Sequence, residues 1–467
     1  MTTTLVSTPT RPAAGNRRRH WRRFGWVLLP ALTPILVTAA FAALTLPVAA
    51  GQVYEAPAPA TDARSAVTVD PAKPTAVIVL GPQGTNVADS LPPFEVLAAT
   101  GRFNVLLAAT TPGPSPLAGG VDVVPHTTFE QLATLVPGGP DVVIVPQLKG
   151  DPARMKPVLD WLRQVHAGPR PPLMVSVCVG ARQLAEAGIL DRRPATSHWL
   201  GMIGLRRDFA GVRWRDDVTY VDDGDVITSA GVLFGIDATL RVVERLTDQQ
   251  TAAAAADAIH WDHYSPGRPA RIDPPHLRPA DAPAFLSAAY RWDRPSTGVL
   301  LTEGIGETEV AAALRPYTEL SYLDHSTTVT MDGRPVRTAH GLALVPHGSV
   351  TAPERHVDRL LVPGHTAEQV DAMPLPDGLD ATVLQPDREA FAFDGSLQDI
   401  ARTTDVATAR WVAKSMQYPT AGLTLDGHAW PWGLTARAVV IALAPLLILI
   451  AGRRLWLRRR TLQQRIQ

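Results

Sequence analysis

The chain of 467 residues contains a single cysteine, Cys178, at the junction of the apolar run "PPLMVSV" and the helix-like "GARQLAEAG". Ser176 and Gly180 stand two positions before and after it. Small flanking residues suit a tight strand-to-helix turn that lifts a nucleophile out of a sheet. A helix beginning behind the thiol aims N–H groups and partial positive charge at it, which predicts a thiol pKa lowered toward neutral. The N–H groups of Val179 and Gly180 are the nearest oxyanion donors. A nucleophile also needs a base or an orienting group, and an acid. His198, in "RRPATSHW", and Asp89, in "ADSLPPFEVL", are placed to reach the same sheet edge. A carboxyl beside a thiolate tends to keep its proton and donate a hydrogen bond. Each residue also has a plain structural reading: a buried small hydrophobe for Cys178, an N-cap for Asp89 and a core imidazole for His198.

With one cysteine there is no internal disulfide and no cysteine-based zinc site. His260, Asp262 and His263 are ligand types, but their Pro-rich surroundings read as surface. No metal or other cofactor is expected.

The elements that must position these residues follow from hydrophobic pattern. "TAVIVLG", "FNVLLAAT", "PDVVIVPQ", "PPLMVSV" and "GDVITSAG" are short apolar strands. Between them lie the helical patterns "ADSLPPFEVLAATG", "TTFEQLATLVPGG", "ARMKPVLDWLRQVHAG" and "GARQLAEAG", and "GIDATLRVVERL" follows the last strand. Apolar strands alternating with amphipathic helices predict an α/β fold, a flavodoxin-like parallel sheet with helices on both faces. Ligands bind such sheets at the carboxyl ends of the strands, where Cys178 lies. A second, truncated copy of the same domain is expected, because "TGVLLTEGIGETEVAAAL", "AHGLALVPHGSV" and "VDRLLVPGH" echo the first half. Glu309 stands there in the place of Asp89, and no cysteine turn follows.

Formal charge is zero, with 44 Lys plus Arg against 44 Asp plus Glu. Residues 1–23 and 452–467 each hold six Arg and no acid, so the middle is acidic and a poor partner for nucleic acid. The uncharged stretch 24–51 and the apolar stretch 430–452, whose one charge is Arg437 near its outer end, are long enough to cross a bilayer. The first reads as an uncleaved anchor, since signal h-regions run about 7–15 residues. Basic flanks on the terminal sides predict a two-pass cell-membrane protein with both termini cytoplasmic and the soluble domains extracytoplasmic. The expected organisation is a basic tail (1–23), a transmembrane helix (24–51), a Pro/Ala-rich linker (52–74), the first domain (75–250), a linker (251–296), the truncated repeat (297–420), a second transmembrane helix (430–452) and a basic tail (453–467).

"SVCVGARQLAEAGILDRRPATSHW" resembles the signature of the DJ-1/PfpI family, in the class I glutamine amidotransferase-like superfamily. The Cys-x-Gly turn, the "LAEAGIL" helix and the "ATSHW" segment are similar to the amidotransferase-like domain of AraC-type regulators. "ADSLPPFEVL" and "ITSAGVLFGIDATLRVVERL" match further motifs of that domain, and the likeness runs from Lys73 to Leu246. It implies Cys178 as nucleophile or redox-sensitive thiol, Asp89 as the acid beside it, His198 as the nearby histidine and Asp237 as a pocket residue. "VPQLKG" stands where the family often has Pro-Gly-Gly, and no Glu lies two after His198, so a Cys-His-Glu triad is not formed.

These observations leave distinct function classes open. One is a membrane-anchored thiol-dependent hydrolase, hydratase or glyoxalase-like enzyme acting on a small carbonyl or amide compound. The alternative is a non-catalytic redox or metabolite sensor. A third is a structural module in which the half-repeat closes an internal pseudo-dimer. The expected partners are the membrane and an unidentified small molecule, with pairing either to a second chain or within this one.

Overall fold

The computed structural model describes residues 53–466 except 60, 66, 67, 386 and 388, together with 33–34, 36–41, 43–45, 47 and 51. It divides into two units, residues 48–431 and a unit made of the two terminal segments.

The larger unit begins with β1 (Thr75–Val79), buried along its whole length as a central parallel strand must be. It leads to α1 (Val87–Ala99), whose N-cap Asn86 accepts from the Ala88 and Asp89 N–H groups. β2 (Asn104–Ala109), β3 (Thr127–Thr128), β4 (Val142–Val145) and β5 (Leu173–Ser176) follow. After β5 come the turn Cys178–Gly180 and α2 (Ala181–Glu186). β6 (Tyr220–Asp222), β7 (Val226–Ser229) and α3 (Phe234–Leu246) complete this half. The sheet order is β6-β7-β5-β4-β1-β2-β3.

That order corrects the expected parallel, flavodoxin-like sheet: the sheets are mixed. β6 and β7 pair antiparallel, because the residues between them, Asp223 to Asp225, make a tight turn with Gly224 at φ 85°. Two adjacent strands joined by so short a turn can only run antiparallel.

The second half supplies β8 (Ser296–Leu300), α4 (Glu307–Leu314), β9 (His325–Val329), β10 (Arg359–Val362) and β11 (Asp380–Val383). Its four strands are parallel in the order β9-β8-β10-β11, the order that β2-β1-β4-β5 follow in the first half. α5 (Val406–Met416) closes this half. The halves are joined by a third sheet, six-stranded and mostly antiparallel, in which Ala343–Val345 pairs with Val121–Val124. Helices α1 and α4 pack together across the same seam, and the Thr308 N–H donates to Glu95 Oε2 at 2.6 Å.

The terminal unit holds α6 (Trp432–Ile466). Among the described residues, Trp432–Thr461 is the one helix long and apolar enough to cross a membrane, with mean hydropathy 2.4 over its most apolar 18 residues. The expected pair of transmembrane helices, and with it the two-pass topology with extracytoplasmic domains, is therefore corrected to one candidate span. Of the segment 24–51, the apolar helix described is Leu36–Thr45, about 15 Å long at the helical rise and half of a hydrocarbon core. The rest of that segment is mostly outside the described residues.

Candidate active site

Cys178 sits where β5 gives way to helix, and its backbone is left-handed, with φ 56°. A non-glycine residue held there costs about 1–2 kcal/mol, a strain that clusters at functional sites. The turn is held from several sides. The Val177 N–H donates to the Val145 carbonyl at 3.0 Å, and the Ser197 hydroxyl donates to the Cys178 carbonyl at 2.8 Å. At Gly180 a Cβ would overlap the Val145 carbonyl oxygen, so glycine is required two residues after the thiol. At Ser176 the side chain is wholly buried.

The site is closed. Cys178 is 2% exposed, and its thiol donates toward Gln147 Oε1 at 3.7 Å. Burial, and then the neighbouring Asp89 carboxyl, push its pKa well above the ordinary thiol value, while Arg315 and the Val179 N–H pull the other way. The expected low-pKa thiol is thus corrected. The helix behind the thiol is one short turn after a 3-10 turn, and its field is outweighed by desolvation.

Asp89 lies in the first turn of α1 and is fully buried. Its Oδ2 accepts from the Gln147 N–H at 3.0 Å, and Oδ1 has no hydrogen-bond partner. Burial raises its pKa to about 8, opposed by the Gln147 N–H and reinforced by Glu319. At neutral pH Asp89 therefore carries a proton beside the thiol.

His198 does not join this pair by any hydrogen bond. Its Nε2 donates to the Ser415 carbonyl of α5 at 2.7 Å, and burial lowers its pKa to about 4. It is a neutral tether to the closing helix. Asp237 faces elsewhere: its Oδ1 accepts from Trp261 Nε1 at 2.9 Å, in an aromatic cluster with Phe391 and Tyr418, and burial raises its pKa to about 7. Glu309 accepts from the Gly306 N–H at 3.0 Å and caps its own helix.

Sequence reasoning missed four residues here. Gln147, in "VPQLKG", binds both members of the pair, and its place just past β4 on the carboxyl edge was the signal that could have found it. Glu319 is the second. Its carboxylate accepts from Tyr54 Oη at 2.7 Å, from Asn86 Nδ2 and from Gln147 Nε2 at 3.4 Å. Arg315, 1% exposed, pairs with it through Nε at 3.4 Å. Tyr54 is the fourth, and nothing in its Pro-rich surroundings marks it.

For metals, one described group brings three residues of ligating type together: Glu95, Glu307 and His340, with ligand atoms within 4.8 Å of one another. Glu307 is already bonded to His340 Nδ1 at 2.8 Å, to the His340 N–H and to the Thr338 hydroxyl. His340 is accordingly held above its ordinary pKa by Glu307, while burial and the nearby Glu307 raise Glu95 of α1 to about 7.

The sequence profile of the DJ-1/PfpI family matches residues 75–245. An isonitrile hydratase of Pseudomonas putida is 30% identical over 206 residues, covering 44% of this chain and 83% of that protein. Over this region the chain belongs to the DJ-1/PfpI family. The DJ-1/PfpI domain is also 31% identical to Protein DJ-1alpha of Drosophila melanogaster over 153 residues, 32% of this chain and 67% of that one. Among solved structures, a ThiJ/PfpI family protein from Pseudomonas syringae matches with a TM-score of 0.36 and 26% identity, covering 42% of this chain and 77% of that one. An AraC family transcriptional regulator from Pseudomonas putida matches at a TM-score of 0.33 and 17% identity, covering 40% and 98%.

Proposed function

We propose that the DJ-1/PfpI domain is a cysteine-dependent enzyme that adds water to a small neutral carbon electrophile, an isonitrile, carbonyl or amide compound, and that the chain is tethered to a membrane through Trp432–Thr461. The observation that carries the reading is Cys178 in a left-handed turn, with the Val179 N–H directed at its sulfur and protonated Asp89 beside it. Its kinship to an isonitrile hydratase supplies the substrate class. In the step proposed for an isonitrile, Sγ forms a bond to the terminal carbon and the thiol proton ends on that carbon through Asp89. Water then adds to the thioimidate, the S–C bond breaks, and the formamide leaves as the thiol recovers its proton. The Val179 N–H stabilises the charge that develops in the addition. A buried site whose thiol and Asp89 are both neutral favours an uncharged substrate. The kinship to AraC-type amidotransferase-like domains, and the reading of the second half as a truncated copy, belong to this proposal. The matching strand orders support the latter.

The full-length protein, assayed on alkyl isonitriles, aldehydes and amides, is expected to turn over at least one class, and Cys178→Ser is expected to lose that activity. Turnover that survives Cys178→Ser removes the thiol from the mechanism. Closure of the site favours a second reading, a sensor whose thiol is exposed only on a signal. It predicts no turnover by either protein, with reversible oxidation of Cys178 in the wild type.

A further inference from the structure

The second half of the chain has no cysteine, yet it reaches into the cysteine site. Arg315 ends α4, and Glu319 follows four residues later. Both are buried, and the Arg315 Nη1 donates to the Glu319 carbonyl at 2.5 Å. The hydrogen bonds of the Glu319 carboxylate go to the first half: Tyr54, Asn86 and Gln147. Two of these three are the residues that hold the reacting pair. Asn86 caps α1 and accepts from the Asp89 N–H at 3.1 Å. Gln147 binds Asp89 through its N–H and faces Sγ with Oε1. The loop carrying Glu319 is itself over-determined. Leu320 and Tyr322 are left-handed, with φ 62° and 51°, and the Leu320 carbonyl accepts from Trp411 Nε1 of α5 at 2.8 Å. A seam needing only adhesion is at least as well made from apolar residues, because burying an ion pair costs desolvation. Strained backbone and a buried ion pair converging on one thiol point to function.

We infer that Arg315 and Glu319 are a working part of the Cys178–Asp89 centre, a positioning pair supplied in cis by the second half, which holds Asn86 and Gln147 in place and balances charge at the thiol. The inference rests on Cys178 being the reactive thiol. The groups facing the centre are Asp89 from α1, Gln147 from the loop after β4, the Val179 N–H, and Arg315 and Glu319 from the second half. Tyr54 bears on Glu319, and Lys149 stacks on the Tyr54 ring at 4.7 Å. His198 is neutral and bonded to Ser415. Around the thiol, Glu319 opposes thiolate formation and Arg315 favours it.

The test is alkylation of the full-length protein by iodoacetamide, a neutral reagent, near pH 7.5. Glu319→Gln is expected to react about tenfold faster and Arg315→Gln about tenfold slower, the change that one pKa unit makes in thiolate fraction. Glu319→Asp and Arg315→Lys keep the charge and are expected within about threefold of wild type. A merely structural pair behaves differently: any loosening exposes the buried thiol and speeds all four variants. Gln variants that move in the same direction, or do not move, overturn the inference. If one Gln variant does not fold, the other position decides by itself through comparison with its charge-keeping partner. A folded wild type whose thiol resists alkylation even at alkaline pH sinks the reactive-thiol reading and this inference together. A reactive wild type with the wrong variant pattern sinks this inference alone.

Discussion

At the scale of single residues the centre is a proton-storing pair rather than an ion pair. Asp89 is raised to about 8 in the folded chain, against roughly 3.9 for a free Asp. The folded state therefore binds one more proton than the unfolded state between about pH 4 and 8. Stability from this group is present at low pH and falls as pH rises through that window, by about 1.4 kcal/mol per unit. Asp89→Asn keeps an acceptor for the Gln147 N–H and removes the titration. The variant is expected to melt higher than wild type at pH 8.5, with a smaller difference at pH 5, and to lose turnover. Equal melting shifts at both pH values would show that Asp89 is ionised in the fold. His198 offers a second test. His198→Gln is expected to cost about 1 kcal/mol in denaturant unfolding through its weakened bond to Ser415. It should leave the pH dependence of Cys178 alkylation in place, whereas a catalytic base would carry that profile with it.

At the scale of elements the strand-to-helix turn does most of the positioning. Gly180 has no room for a Cβ against the Val145 carbonyl, whereas Gly204, in the helix Met202–Asp208, meets only the end of Arg182 at 3.6 Å. Gly180→Ala is expected to lose about 3 kcal/mol and most thiol-dependent activity. Gly204→Ala should gain up to about 1 kcal/mol from helix propensity. Paired urea melts check both, and a neutral Gly180→Ala would mean that the turn tolerates widening. This turn was legible in the sequence because its requirements are local: a small residue two before the thiol and another two after. The β6–β7 hairpin was also written locally, as Asp-Asp-Gly-Asp before "VITS". Its first strand, Tyr220–Asp222, is only three residues long, too short for a period-2 pattern to show beside strong apolar runs.

At the scale of the whole molecule, residues 48–431 form one unit in which the two halves share a sheet and a helix pair. Val121–Val124 is an interior strand only because Ala343–Val345 lies beside it. The terminal unit bears on location. Truncation after Pro431 removes the one described helix of spanning length and is expected to release the protein from alkali-washed membranes into the soluble fraction. Retention in the pellet would place the anchor elsewhere. The basic residues Arg453, Arg454 and Arg458–Arg460 follow the apolar stretch and suit the interfacial end of such a helix.

The sequence by itself determined the family, the strand-to-helix turn at Cys178 and Asp89 on the helix after the first strand, because each rests on neighbours within a few residues of chain. Tertiary structure decided the rest. It turned His198 toward Ser415 and Asp237 toward Trp261. It also brought Arg315 and Glu319 to a thiol more than a hundred residues away in sequence. In sequence those two residues read as an ordinary i,i+4 pair of the kind found on exposed helices. Their role depends on burial, a property of the packed seam that no local pattern encodes. The state of the thiol was decided at the same level: a helix N-terminus favours the thiolate, and full burial reverses that preference.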